Sequence, residues 1–298
     1  MTASVDRMTV PALDTALVER LIAAQFPAWA GLPVREVDSA GTDNVMFRLG
    51  DEYAVRLPKA DWAVGQAEKE QKWLPRLAPH LPLPVPVPVG RGVPGEGYDR
   101  PWSVFAWLDG DDAYNAPITD LAHAAVELGR FGVALREAGA AGGPASWRGG
   151  PVSGRDAETR EAVRVLGADD PAAARAATAA WEAVLRVPEW DGEPVWLHGD
   201  LLPGNLLGRA GRLTAVIDFG GLGTGDPAAD MMCAWTLLTA GTRPLFREAA
   251  GVDGATWARG RGWALSWGLM TEQYYRVENP VLAAVARRTF TEALADPP

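Results

Sequence analysis

Apolar positions at Leu17, Val18, Leu21 and Ile22 recur at helical spacing and predict a first helix over residues 14–26, with Asp14 placed to cap it. The period then changes. Val34-Arg35-Glu36-Val37 is followed by the turn-rich Asp38-Ser39-Ala40-Gly41-Thr42-Asp43-Asn44. Two short apolar segments, 45–49 and 53–57, flank Gly50-Asp51 and predict a β-hairpin. Residues 61–74 predict a second helix, ended by Pro75. Six prolines stand between residues 79 and 94, alternating with Val85, Val87 and Val89. Proline has no N–H to give a ladder, so this stretch is expected as an edge strand or packed connector. A free polyproline recognition segment is the other reading, disfavoured by the alternating valines. Residues 102–108 predict a strand that Asp109-Gly110 ends.

From residue 119 to 185 the pattern is helical and alanine-rich, clearest over 121–138, which carries His123, Val126, Leu128, Phe131 and Leu135. Residues 139–154 read as a glycine-rich loop. Strands are predicted at 195–197 and 213–217, and helices at 227–238 and 256–294, the latter broken near Pro280. There is no internal repeat. The order is a strand-rich first third, a linker near residue 107 and a mainly helical remainder, which predicts an α+β protein with parts at 1–106 and 107–298.

Composition narrows this picture. A chain of 298 residues is long for one core and suits two packed lobes. No stretch approaches the roughly 18 apolar residues of a membrane span. Residues 1–10 carry Asp6 and Arg7 and no apolar core, so no signal peptide is expected. Cys233 is the single cysteine, which makes an internal disulfide impossible and a reducing cytoplasm the simplest compartment. A formal charge of −10 disfavours nucleic acid and favours a cationic ligand, although solubility alone accounts for many acidic proteins. A monomer or weak dimer is expected, with neither nucleic acid nor membrane as partner.

The chemistry concentrates in His198-Gly199-Asp200-Leu201-Leu202-Pro203-Gly204-Asn205 and Ile217-Asp218-Phe219-Gly220. An Asp, an Asn five residues later and a second Asp ending an apolar strand form the polar set that phosphoryl transfer needs. One carboxylate accepts a hydroxyl proton. An amide oxygen and the other carboxylate suit Mg²⁺ on nucleotide phosphates. A His-x-Asp triplet is weak evidence alone; the spacing and the flanking strands give the ensemble its specificity, and a kinase is the function it predicts.

On Trp196-Leu197-His198-Gly199-Asp200-Leu201-Leu202-Pro203-Gly204-Asn205, Val216-Ile217-Asp218-Phe219-Gly220 and Gly225-Asp226-Pro227-Ala228-Ala229-Asp230, the chain resembles the aminoglycoside phosphotransferase family. The resemblance spans nearly the whole chain. It implies a bilobal protein-kinase-like fold, with a small antiparallel-sheet N-lobe and a larger, mainly helical C-lobe. It also implies ATP- or GTP-dependent phosphorylation of a hydroxyl on an antibiotic or small metabolite. Gly199 stands where protein kinases usually have arginine, which favours a small-molecule acceptor.

By this resemblance Asp200 is the catalytic base, and Asn205 and Asp218 are the Mg²⁺ ligands. His198 is expected to hydrogen-bond the loop, Asp226 to cap a helix and Asp230 to brace the catalytic loop. The family's phosphate-holding strand lysine is matched by Arg56, with Glu70 as its helix partner and Glu68 as fallback. Arginine clamps phosphate bidentately but is larger than lysine. A plain surface role for Arg56, with Lys59 as substitute, is the other reading. Ser39 and Thr42 occupy the place of the phosphate-covering loop, where an ordinary turn is the alternative. Ala106-Trp107-Leu108 matches the hinge, so the backbone of Ala106 and Leu108 is expected to meet the nucleotide base, with Trp107 also readable as core.

The acceptor is less determined. An aminoglycoside needs carboxylates, for which Asp109, Asp111, Asp112, Asp156, Glu158, Glu161 and Glu272 are candidates. A macrolide needs an apolar wall, for which Trp235, Trp263, Trp267, Tyr274 and Tyr275 are candidates. An aminoglycoside is preferred and a macrolide next. A metabolic kinase acting on a sugar or amino alcohol, and a non-catalytic kinase-like binding protein, are the alternatives.

Overall fold

The computed structural model describes residues 12–37, 43–59 and 63–296. The chain groups into two compact units, Met1–Pro79 with Pro86–Leu108, and His80–Val85 with Asp109–Pro298.

The first unit is built on a five-stranded antiparallel sheet of order β1-β2-β3-β5-β4 (β1 Val34–Val37, β2 Asn44–Leu49, β3 Tyr53–Pro58, β4 Pro88–Gly92, β5 Trp102–Ala106). Helix α1 (Thr15–Gln25) is capped by Asp14, whose side chain accepts from the Leu17 N–H at 2.8 Å. Its stripe of Leu17, Val18, Leu21 and Ile22 packs with Phe47, Leu49, Val55, Leu57, Trp102 and Val104. Each such side chain contributes roughly 1.5–3 kcal/mol by leaving water. Strand side chains alternate between faces, so Val55 and Leu57 of β3 point into this core while Arg56 lies on the opposite face. β4 is the sheet edge and opens on Pro88, as its proline content requires. Gly92 lies directly under the Trp102 indole, where a Cβ would overlap the ring.

Helix α2 runs Val64–Leu77 and does not stop at Pro75, which sits inside its last turn. Proline there deprives the Gln71 carbonyl of its i+4 donor, but the last turn still closes, with the Ala78 N–H donating to the Leu74 carbonyl.

The second unit is mainly helical. Asp120 caps α3 (Leu121–Glu137) by accepting from the His123 N–H at 3.1 Å. Helices α4 (Asp156–Asp169) and α5 (Pro171–Leu185) follow the glycine-rich segment. β7 (Val195–Leu197) pairs antiparallel with β10 (Gly223–Gly225), and β6 (Asp111–Asp112), β8 (Leu206–Arg209) and β9 (Arg212–Val216) form a small sheet of order β6-β8-β9. The predicted helix at 227–238 is instead a tight 3₁₀ turn, Pro227–Met232, followed by the single-turn α6 (Cys233–Thr236). All six residues of that turn are buried, and its winding serves the Asp230 contacts described below. α7 (Arg243–Ala250) packs on α3, and α8 (Gly254–Tyr275) packs on α9 (Pro280–Ala295). At Gly268 the two helices approach so closely that a Cβ would lie 2.8 Å from the Ala286 carbonyl. Among the described residues, no helix is long and apolar enough to cross a membrane.

Candidate active site

β7 carries the buried Trp196 and Leu197 and delivers His198 into the interior of the second unit. The next residue is Gly199 at φ +80°, where a Cβ would come within 2.7 Å of the Gly221 carbonyl, so this turn requires glycine. Asp230 braces the turn: its carboxylate accepts from the His198 N–H at 2.8 Å and the Gly199 N–H at 2.7 Å. Burial pushes the Asp230 carboxyl up, and the two N–H groups it accepts from pull against it. His198 Nδ1 accepts from the Asp200 N–H at 3.1 Å, which leaves Nε2–H to donate to the Ile217 carbonyl at 3.1 Å. Burial holds this imidazole below the usual histidine value, in its neutral form. Asp230→Ala is expected to cost roughly 2–5 kcal/mol, because two buried N–H groups lose their acceptor. Denaturant unfolding of this variant beside the wild type checks it.

The five-residue spacing from Asp200 to Asn205 closes a small loop. Asn205 Nδ2 donates to the Asp200 carbonyl at 2.8 Å and to Asp200 Oδ2 at 3.0 Å. With its nitrogen so engaged, the Asn205 amide presents its oxygen elsewhere, as a metal ligand must. The Ile217 N–H donates to the Asn205 carbonyl at 2.9 Å, which places Asp218 beside Asn205. Asp218 is exposed and left-handed at φ 59°, ψ 74°, and its Oδ1 accepts from the Gly220 N–H at 3.3 Å. Among the described residues, no three His, Cys, Asp or Glu side chains gather as a metal cage. One carboxylate and one amide oxygen fit Mg²⁺, which keeps several waters and takes further ligands from phosphate.

Two side chains at Asp200 escape the sequence motifs. Arg148, from the glycine-rich segment, donates through Nη1 to the Gly199 carbonyl at 2.8 Å and to Asp200 Oδ1. The Tyr114 ring packs against Gly204 of the same loop, and its buried hydroxyl has no hydrogen-bond partner among the described residues. Burial and then the Asp200 charge push this phenol up.

In the first unit, β3 and α2 bring Arg56 against Glu70. Arg56 Nη1 donates to Glu70 Oε1 at 3.1 Å and Nη2 to Oε2, a bidentate pair with side chains 7% and 1% exposed. Such burial does not suit a surface cation. Glu68 is exposed and pairs with Arg91 at 3.1 Å instead. The Ala106 N–H donates to the Val87 carbonyl and the Trp107 N–H to the Glu52 carbonyl, so the N–H groups of the first two positions of the expected hinge are already used. The Arg48 guanidinium lies 4.4 Å from the Trp107 ring centre. Ser39 and Thr42 lie outside the described residues.

Residues 34–263 match the sequence profile of APH, the phosphotransferase enzyme family. The chain belongs to this family. Its fold agrees with solved structures of low sequence identity. A GDP complex of aminoglycoside 2'-phosphotransferase-IIIa superposes with a TM-score of 0.73 at 19% identity, covering 95% of this chain and 99% of that one. A gentamicin complex of APH(2")-IIa gives 0.60 at 17%, covering 95% and 99%. Macrolide 2'-phosphotransferase MphH from Brachybacterium faecium gives 0.61 at 22%, covering 94% and 99%. No curated protein matches the chain significantly in sequence. The protein is thus a phosphotransferase acting on a hydroxyl group, with the kinase-like α+β fold that its motifs imply.

The phosphotransferase assigns several candidate acceptor residues to other work. Asp156 takes Arg160 and the Trp181 indole N–H, Glu161 takes Arg164, and Glu272 takes Arg276 and Arg287. Asp112 accepts from the Tyr114 N–H at 2.9 Å and from Asn115. Asp109, Asp111 and Glu158 are exposed. Trp235 and Trp263 are core residues, 0% and 5% exposed. Tyr274 is exposed and meets Tyr275 edge to face. The exposed tryptophan beside the Arg148–Asp200 pair is Trp147, 63% exposed, with its ring centre 4.1 Å from the Arg148 guanidinium.

Proposed function

We propose that this phosphotransferase moves the γ-phosphoryl group of magnesium-bound ATP or GTP to an alcohol of a small molecule, an antibiotic, with an aminoglycoside preferred. The observation that carries the reading is the Asn205–Asp200 hydrogen bond, with Asp218 set next to Asn205 by the Ile217 N–H bond to the Asn205 carbonyl and the turn before Asp200 braced by Asp230. Asp200 accepts the hydrogen bond of the acceptor hydroxyl, orients its oxygen and takes its proton as the phosphoryl group leaves the nucleotide. Asn205 and Asp218 hold Mg²⁺, which neutralises charge on the phosphates when bound. In the first unit, Arg56 braced by Glu70 contacts phosphate, Ser39 and Thr42 serve as further phosphate contacts, and the backbone of Ala106 and Leu108 meets the base. The protein acts in the cytoplasm, as a monomer or weak dimer.

The preference for an aminoglycoside draws on the acidic chain and on relatives such as the one solved with gentamicin. A second reading, a macrolide or other less cationic acceptor, is favoured by the arginines that neutralise Asp156, Glu161 and Glu272 and by the exposed indole of Trp147. An intact Asp200/Asn205/Asp218 set disfavours a non-catalytic binding protein.

Side-by-side turnover of kanamycin, gentamicin, erythromycin and simple hydroxylated metabolites with magnesium-ATP and magnesium-GTP tests this. Efficient transfer to an aminoglycoside, weakening as salt screens attraction over about 8 Å, is expected. Transfer only to a metabolite removes the antibiotic and leaves the kinase.

A further inference from the structure

The motif accounts for one of the two groups that hold Asp200. Asn205 Nδ2 bonds Oδ2 at 3.0 Å; the other carboxylate oxygen, Oδ1, takes Arg148 Nη1. A carboxylate gripped on one oxygen still turns about its Cβ–Cγ bond. With a separate donor on each oxygen its plane is set, and the remaining lone pairs define where a hydroxyl can donate. The Arg148 side chain is 9% exposed, whereas that of Asp200 is 25% exposed. The cation therefore lies behind the base, and the base keeps an open side.

The segment that carries Arg148 is itself pinned to the strand after Asp218. The Ser146 N–H donates to the Thr224 carbonyl at 2.9 Å, the Thr224 N–H to Pro144 at 2.8 Å, and the Asp226 N–H to Gly149 at 2.9 Å. Ser146 Oγ–H donates to the Gly221 carbonyl at 2.9 Å and accepts from the Arg148 N–H at 3.3 Å. The approach is close: a Cβ on Gly149 would sit 2.6 Å from the Thr224 carbonyl. The Trp147 indole covers the guanidinium from outside. A buried arginine so anchored is rigid, and it ties the base to the loop of the metal carboxylate through one short segment.

We infer that Arg148 is a positioning residue, which fixes the plane of Asp200 for the acceptor hydroxyl. The inference rests on Asp200 being the base. A purely architectural arginine would lower stability without acting through that carboxylate.

Arg148→Met, Arg148→Lys, Asp200→Asn and the combination of Arg148→Met with Asp200→Asn separate the two. Each is assayed with magnesium-ATP and magnesium-GTP toward kanamycin, erythromycin and water, the last as nucleotide hydrolysis. Nucleotide affinity and thermal unfolding are measured on the same preparations. Arg148→Met is expected to lower kcat about 10²-fold, the scale of a misplacement of about 1 Å, with the nucleotide KM nearly unchanged. Arg148→Lys recovers part of the loss, since an ammonium keeps the charge without the fork. In the Asp200→Asn background, Arg148→Met costs nothing further, because the residue acts through the missing carboxylate. Losses that multiply in the combined variant overturn the inference, as does wild-type kcat in Arg148→Met beside an inactive Asp200→Asn. A fully active Asp200→Asn overturns the assignment of the base instead. If Arg148→Met does not fold, the same cycle with Arg148→Lys decides by the same comparison.

Discussion

Asp200→Asn should lose about 10²-fold or more in kcat while binding nucleotide almost as the wild type does. The substitution keeps size and shape but removes the charge that, in the proposed mechanism, orients the hydroxyl and takes its proton. It also sets an amide between two donors, Asn205 Nδ2 and Arg148 Nη1, so that one of them must face an N–H. Breaking that contact costs about 1–3 kcal/mol of stability, which the braced loop absorbs because Asp230 still holds His198 and Gly199. Steady-state kinetics with nucleotide titration checks the split. A fall in nucleotide affinity with kcat intact would place Asp200 in nucleotide binding and not in proton transfer.

Asp218→Ala should nearly abolish turnover, by about 10³-fold or more, since the charge stabilisation a bound metal supplies amounts to several kcal/mol and the variant lacks one of the two proposed protein ligands. The fold should survive. Asp218 is exposed, and its local bond to the Gly220 N–H at 3.3 Å, which the substitution removes, is worth about 0.5–2 kcal/mol as a cap. Alanine at φ 59° adds a small backbone cost of about 1–2 kcal/mol. The magnesium concentration for half-maximal rate in any residual activity should rise. Full turnover by this variant, or by wild type in excess chelator, would contradict the metal assignment.

The parts of the site legible in the sequence are those whose geometry is local. Asp200 and Asn205 are five residues apart and bond each other directly, and Asp230 reaches His198 across a segment bounded by recognisable strands. The alternation of β3 gives Arg56 a face opposite Val55 and Leu57, and the helical register of α2 then selects Glu70 over Glu68. Arg148 lies 52 residues before Asp200 in a segment with no period. Nothing along the chain marks its side chain as buried, because the burial comes from backbone bonds to Thr224 and Asp226. The turn at Pro227–Met232 differs from its pattern for a similar reason, since Asp230 within it bonds the His198 and Gly199 N–H groups. Helix ends and tight turns are decided by tertiary hydrogen bonds as much as by propensity. Among the candidate acceptor carboxylates, Asp156, Glu161 and Glu272 meet Arg160, Arg164 and Arg276 at helical spacing, whereas Arg287, which also pairs with Glu272, comes from α9 and no spacing along the chain marks it.

Phosphorus NMR of the reaction mixture tests the central claim most directly. Wild-type protein with magnesium-ATP or magnesium-GTP and the acceptor panel should produce a phosphomonoester resonance on an acceptor alcohol, and Asp200→Asn should leave that resonance near zero over the same time. Conversion of nucleotide to inorganic phosphate alone, or an equal phosphomonoester signal from both proteins, would contradict it.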